Sequence, residues 1–351
     1  VKIDYSESFA GMGAWGKAIK QVTENHGDIC ELKWYSEINK YASNSFSAIH
    51  EISEELNIWD IAKNAEIDPV DIFFYSPPCQ SFSLEGKRGL TNVPKGNLFY
   101  DATKLIKKSM PKYAIMENVK GLTTGKSKES FNNMLKYLDE LGYVNYWKVL
   151  NSKDYNVPQN RNRVYVVSIR KDLDNEGFDF PTKMELNVHL KDIVENDIDE
   201  KYYLSEEMAN LYIYKESDGE YIEREKDELL VKTATKSGYD ILRKGDSIDL
   251  VRPNSKTRRG RVGKQVAQTL NASPNIGYYD GDRIRRLTPL EYFRLQGFKD
   301  EDYYKAVVSY DETYGLNQDG TTKSGTKMYT RAGNSITVDV IEVILEKLLY
   351  K

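Results

Sequence analysis

The sequence predicts a doubly wound α/β fold, and three observations predict it. Strand-like and helix-like runs alternate through the first half, a glycine-spaced turn follows the first strand, and the run VDIFFYS is apolar throughout. An unbroken apolar run is what a sheet covered on both faces requires. KIDYSESF reads as a short strand, and AWGKAIKQVTENHG as a helix with Trp15, Ala18, Ile19 and Val22 on one face. ICELKWYSEIN is a second strand and KYASNSFSAIH a second helix, followed by the VDIFFYS strand and the helix LFYDATKLIKKSM. YAIMENV is a strand, KESFNNMLKYLDELGY a helix that stops at Gly142, and YWKVLN and RVYVVSIR two more strands. From about residue 182 neither period persists, so a separate irregular β-rich domain is expected over 183–327, with a hinge segment at 284–298. SITVDVIEVILEKLLYK returns as an amphipathic helix, so residues 328–351 rejoin residues 1–182 in one domain.

Composition narrows the function classes. Hydrophobic residues make up 40% and charged ones 30% of the 351 residues, a globular balance without low-complexity tracts. No apolar stretch approaches the roughly 20 residues needed to span a bilayer, and VKIDYSESFAG lacks a secretory pattern, which predicts a soluble, cytoplasmic protein. With 2 cysteines, 3 histidines and no C-x-x-C, the sequence offers neither a disulfide framework nor zinc-ligand spacing, and no metal is expected. Net charge is −4, yet RPNSKTRRGRVGK, residues 252–264, holds six basic side chains and no acid. The field a ligand meets depends on such arrangement, not on the total.

Several short stretches bear chemistry. In FAGMGAWG, Gly11, Gly13 and Gly16 follow a strand and precede a helix, and Glu37 ends the second strand about 20 residues on. Backbone at such a turn can approach a nucleotide while the carboxylate takes ribose hydroxyls. Taken alone the pattern fits a ligand-free turn equally well, and leaves NAD, FAD and S-adenosylmethionine open. Asp60 in WDI is placed to accept from an adenine amino group or to cap a helix. Cys79, in SPPCQSFS, stands after two prolines where the third strand ends, the edge at which parallel sheets present reacting groups. Cys30, within ICELKW, is expected in the core. Glu117 ends the next strand as Cys79 ends its own, bringing a nucleophile and an acid to one crevice. Arg161 and Arg163 alternate where a further strand begins, so both are expected to face that crevice.

The succession FAGMGA, SEIN, WDI, PPCQSFS, ENV, QNRNR, RLTPLEYFRLQGF and AGNSITVDV resembles the DNA (cytosine-5)-methyltransferase family of bacterial and phage type. It covers nearly all the chain except about 100 residues before Arg285 and an insertion from about Lys299 to Lys327. The resemblance implies a Rossmann-like catalytic domain that transfers a methyl group from S-adenosylmethionine, leaving S-adenosylhomocysteine, to carbon 5 of a flipped-out cytosine. Cys79 would attack carbon 6, Glu117 would hold the N3 and amino edge, Arg163 would grip the carbonyl oxygen, and Arg161 would support the intermediate and the DNA backbone. By matching position Phe9, Gly11 and Gly13 would line the cofactor, Glu37 would bind the ribose, Ile38 would cover the adenine, and Asp60 would accept its amino group. Pro78, Leu98 and Asn334 would complete that pocket. Ile38 departs from the tryptophan of some members.

The stretch from Gln80 to Gly96 resembles the family's mobile DNA-closing loop, in which Gln80, Ser81 and Ser83 would border the emptied stack and Arg88 would add charge. The irregular region lies where the family keeps its target-recognition domain. Arg258, Arg259 and Arg261, in RRGR, with NASPNIG, are the leading groove-facing candidates. Implied partners are double-stranded DNA, with a cognate restriction endonuclease acting separately left open, and a monomer is expected. Rival readings are an RNA cytosine-5 methyltransferase of the same fold, a nucleotide-cofactor oxidoreductase, and a non-catalytic DNA-binding regulator. The oxidoreductase would leave PPCQ, ENV and QNRNR without a task.

Overall fold

The computed structural model describes residues 1–58, 67–78, 98–217, 221–257 and 259–350. Cys79, Gln80, Ser81, Ser83, Arg88, Asp60 and Arg258 lie outside the described residues. The first half runs β1 (Lys2–Ser8), α1 (Ala14–Asn25), β2 (Ile29–Ser36), α2 (Lys40–His50), β3 (Ile72–Tyr75) and α3 (Leu98–Ser109). It continues through β4 (Tyr113–Val119), α4 (Lys128–Glu140), β5 (Tyr143–Asn151), the two-residue β6 (Gln159–Asn160) and β7 (Asn162–Arg170). Six strands form one sheet in the order β2-β1-β3-β4-β7-β5. β2, β1, β3 and β4 are parallel, whereas β7 runs antiparallel to both β4 and β5. The expected doubly wound sheet is therefore mixed at one side.

Alternation explains why β3 is apolar at every position. Ile72 and Phe74 face α1 and the C-terminal helix, and Phe73 and Tyr75 face α3 and α4. All four are fully buried, each such side chain contributing roughly 1.5–3 kcal/mol. Trp15 of α1 stacks on Phe74 at 4.8 Å and donates its indole N–H to Ser76 Oγ, which fixes the exit of β3. Cys30, expected in the core, is only half-buried in β2.

Beyond β7 come the short helices α5 (Leu190–Ile193) and α6 (Glu206–Asn210), then β8 (Leu229–Lys232), β9 (Tyr239–Leu242), β10 (Ser247–Asp249) and β11 (Val262–Gly263). β12 (Ala267–Gln268), β13 (Ile276–Tyr279) and β14 (Ile284–Arg286) complete this region, whose four-stranded antiparallel sheet has the order β11-β10-β13-β14. β12 pairs in parallel with β6 in a separate two-stranded sheet, joining the region to the segment that leads into β7. The chain then becomes helical: α7 (Pro289–Arg294), α8 (Asp300–Tyr314), α9 (Gly325–Asn334) and α10 (Val338–Leu349). The expectation of irregular β structure as far as residue 327 is corrected here. Phe293, Phe298, Ala306 and Tyr310 belong to the same core as Trp15 and Phe74, so the chain from α7 onward packs with the large sheet. α8 escapes a sequence reading because its apolar residues form a weak stripe among aspartates, glutamates and tyrosines.

Glu7, in β1, is fully buried beneath α1. One carboxylate oxygen accepts from Gly16 N at 3.2 Å and the other has no partner among the described residues. Burial pushes its pKa well up, the Gly16 hydrogen bond opposing only in part. A raised carboxylate pKa means that the folded chain holds the proton more tightly than the unfolded chain. The stability belonging to this group is therefore whole below the unfolded value and lost as pH climbs to the folded one. Glu7→Gln, which cannot ionise, is expected to gain more in Tm over the native chain at about pH 8 than at about pH 5, measured by calorimetry.

Candidate active site

The chain reverses direction of winding around β1, which lies between β2 and β3, and at such a switch point the strand ends open a crevice. Between β1 and α1 the backbone takes left-handed conformations at Phe9, Gly11 and Gly13, with φ of 58°, 60° and 85°. Gly13 must be glycine: a Cβ there would sit 2.0 Å from His50 Nε2. Above Gly11 the space is open, with nothing within 4 Å of a Cβ built on it. Gly11 N donates to Glu37 Oε2 at 2.8 Å and Asn39 N to Glu37 Oε1 at 2.7 Å, while Ala10 N donates to Ser36 O at 3.1 Å. Burial raises the Glu37 pKa against these backbone hydrogen bonds. Ile38, next in sequence, is 80% exposed, an apolar side chain presented at the mouth. Asn57, which no motif marks, clasps the Glu37 backbone: its Oδ1 accepts from Glu37 N at 3.0 Å and its Nδ2 donates to Glu37 O at 2.9 Å.

Along the same edge, the ends of β3 and β4 are tied to each other. Asn118 Nδ2 donates to Pro77 O at 2.8 Å, two residues before Cys79. Glu117 is buried, and its Oε1 accepts from Arg163 Nε at 2.9 Å across the β4–β7 pairing. Burial raises the Glu117 pKa, and the charges of Arg163 and Arg161 pull the other way. Arg161 is 3% exposed and donates to Leu270 O at 3.3 Å, Gly333 O at 3.2 Å and Ser335 O at 2.6 Å. Its Nε has no partner among the described residues. Glu117, Arg161 and Arg163 thus come together as expected, but a direct grip of Arg161 on the DNA backbone is corrected: the side chain is buried, and its Nη1 and Nη2 groups donate to carbonyls inside the fold.

A family profile for C-5 cytosine-specific DNA methylases matches residues 3–350. The chain belongs to that family. The methylase is 31% identical to the orphan methyltransferase M.SPRI of Bacillus phage SPR, over 99% of this chain and 98% of the relative. It is 29% identical to the type II methyltransferase M.SsoII of Shigella sonnei, over 97% and 78% of the two chains. The fold is shared with a DNMT2 mutant from Spodoptera frugiperda at TM-score 0.60 and 21% identity, over 99% of both chains. Dnmt2 of S. pombe superposes with TM-score 0.60 at 16% identity, over 100% of both. The chemistry is therefore DNA cytosine-5 methylation, and no helix among the described residues is long and apolar enough to cross a membrane.

The remaining expected residues separate into groups. Pro78 is exposed at the end of the β3 exit, Leu98 opens α3, and Asn334 is exposed at the end of α9. Gly333 lets the NASPNIG loop approach, since a Cβ there would lie 2.1 Å from Asn271 O. Asn271, Ala272 and Ser273 are exposed, whereas Asn275 is interior, with its N donating to Tyr292 Oη. Arg259 is exposed. Arg261, expected to read a groove, is instead 1% exposed, and its guanidinium donates to Asp249 O at 2.6 Å, Lys232 O at 2.9 Å and Arg252 O at 3.1 Å. It cannot reach a base without unfolding the small lobe, and the sequence carries no sign of this because both arginines sit in one basic run. Arg261→Ala is expected to lose about 2–4 kcal/mol in denaturant unfolding, while Arg259→Ala stays within about 0.5 kcal/mol and weakens DNA binding in a salt-dependent titration.

Proposed function

We propose that the methylase draws one cytosine out of a short specific sequence in duplex DNA and methylates its carbon 5, with Cys79 as nucleophile and S-adenosylmethionine as donor. The observation that carries this reading is the Asn118–Pro77 hydrogen bond beside the Glu117–Arg163 pair, which joins the strand end leading to Cys79 to the strand end bearing the acid. The donor's fit rests on the glycine turn. Gly11 leaves open space, Glu37 keeps lone pairs free for two hydroxyls, and Ile38 offers an uncovered apolar face for an adenine. Phe9, Gly13, Pro78, Leu98 and Asn334 would complete the pocket, with Asp60 receiving the adenine amino group. When bound, the donor supplies an electrophilic methyl group on a sulfonium.

The chain's own residues do the rest. Carbon 5 of cytosine is a weak nucleophile while the ring stays conjugated. Addition of the Cys79 thiolate to carbon 6 moves electron density to carbon 5, and Glu117 holds a proton at N3 to neutralise the charge that builds there. The raised Glu117 pKa suits that role, because the acid then keeps its proton nearer neutrality. Arg163, steered through its Nε by Glu117, keeps guanidinium N–H groups for the cytosine carbonyl. Arg161 acts behind them, holding the strand start in place. Loss of the carbon 5 proton and expulsion of Cys79 restore the ring.

Incubation with tritiated S-adenosylmethionine and DNA, followed by bisulfite sequencing, tests the reading. Cys79→Ser is expected to abolish transfer and to lose the covalent complex with duplexes containing 5-fluorocytosine; transfer that survives overturns the assignment. For Glu117 the sign is fixed by the proton it must carry: kcat falls as pH rises through its pKa. Glu117→Gln is expected to lower kcat by roughly 10²–10⁴-fold and to remove that alkaline fall, read from a pH–rate profile.

A further inference from the structure

The stretch Lys299–Lys327 has no part in the chemistry above, yet α8, which it contains, packs along α2 and reaches α1 through an ion pair, and both of those helices begin at the donor pocket. α1 starts at the glycine turn, and α2 starts at Asn39, whose side chain caps it immediately after Glu37 and Ile38. Lys17 of α1 reaches Asp302 at 2.7 Å in an ion pair whose side chains are 17% and 1% exposed. Asp302 is held in turn by the Lys299 backbone N–H at 2.9 Å. On the other helix, Asn44 Nδ2 donates to Ser309 Oγ at 2.9 Å and to Thr313 Oγ1 at 3.1 Å, and Lys305 meets Glu51 at 2.6 Å. At the head of α2 the Tyr41 ring packs on Tyr310 and Tyr314, and its carbonyl accepts from Arg331 Nε at 2.9 Å and Nη2 at 2.6 Å. Arg331 belongs to α9, the helix that ends at Asn334.

We propose that α8 is a positioning brace for the donor pocket: through Lys17–Asp302 and Asn44–Ser309/Thr313 it fixes the separation of α1 and α2, and with it the gap between the glycine turn and Glu37–Ile38. This rests on the reading of that pocket as the S-adenosylmethionine site. Beyond the β1–β2 pairing, the direct ties across the gap among the described residues include Gly11 N to Glu37, Ala10 N to Ser36 and, from the far end of α2, His50 Nε2 at 3.3 Å from Met12 O. A ligand spanning the turn and Glu37 would pay for any slack between the two helices as lost affinity. Glu117 and Arg163 lie beyond β1, on β4 and β7, which α8 does not touch to the extent that it packs on α2. The brace thus acts on donor binding and leaves the chemical step alone. A half-buried cation paired with a buried acid serves this purpose better than an apolar contact, because slippage would leave the buried acid without its partner.

Titration calorimetry with S-adenosylhomocysteine on the full chain, with steady-state kinetics in both substrates, tests this. Lys17→Met is expected to weaken S-adenosylhomocysteine binding and to raise KM for S-adenosylmethionine by about tenfold, within the range of couplings between linked elements, with kcat and the KM for DNA unchanged. Lys17→Arg is expected to restore both. Ser309→Ala with Thr313→Ala removes the second tie without stranding a charge, and is expected to shift donor affinity the same way, by about threefold or more. Donor affinity unchanged in both variants while the native chain binds overturns the brace alone. An equal fall in kcat, or a loss in Tm without a change in donor KM, also overturns it. If the native chain itself binds no S-adenosylhomocysteine, the pocket assignment falls and the brace with it.

Discussion

A guanidinium buried without a carboxylate bonded to it is costly unless carbonyl dipoles replace its water, and Arg161 is solvated in that way. The carbonyls come from Leu270 in the β-rich region and from Gly333 and Ser335 at the junction of α9 and α10. One side chain therefore gathers segments more than 100 residues apart at the start of β7, and Arg163, two residues on, inherits its position from that gathering. Burial and the neighbouring charge of Arg163 pull the Arg161 pKa down. Glu117 opposes that fall. Glu117 and this structural arginine are thus coupled through space: each favours the other's ionised form. The β12–β6 pairing and the Gln159 side chain, which donates to Leu295 O at 2.8 Å, close the same junction from the other side.

Three carboxyl groups stand at the ends of neighbouring strands, Glu7 on β1, Glu37 after β2 and Glu117 on β4, and burial raises the pKa of each. Their partners divide them. Glu37 accepts from the Gly11 and Asn39 backbone N–H groups, Glu117 from the Arg163 guanidinium, and Glu7 from Gly16 N beneath the turn. Desolvation alone does not mark function, since it acts on all three. What separates them is which side of the sheet edge the carboxylate faces and what the second oxygen is left to do.

Most of this architecture was legible in the residues. Every strand and helix from β1 to β5, with β7 and α10, could be read from period and turn chemistry, because in a covered sheet the apolar pattern is dictated by local alternation. The motif residues Glu37, Glu117, Arg161 and Arg163 meet at one edge because strand ends in this topology converge. The illegible part has a common physical cause. Arg261 and Arg259 are the same residue type two positions apart, one solvated by carbonyls and the other by water, and only tertiary packing distinguishes them. Asn57 and Asn118 act through single side-chain hydrogen bonds to backbone, which leave no periodic trace. α8 hides for a similar reason, since its contacts with α2 are made by Ser309, Thr313 and tyrosines rather than an aliphatic stripe.

The division of arginines also explains how a chain of net charge −4 presents a basic face. Arg285 is paired bidentately with Glu291, at 2.7 and 2.9 Å, with both side chains almost wholly buried, and Glu291 accepts from Thr288 N at 2.7 Å as well. That pair lies where β14 hands the chain to α7, so it sets the angle at which the β-rich region leaves the large sheet. Arg261 fills the interior of the same region. With these two charges consumed internally, the positive potential left outside comes from Arg252, Lys256 and Arg259, all exposed on one loop that carries no acid. A polyanion meeting this loop feels local charge undiluted by carboxylates elsewhere, because screening at physiological salt confines the field to about 8 Å. Exposed acids stand elsewhere on the chain, such as Glu301 in the first turn of α8 and Glu206 and Glu207 in the first turn of α6.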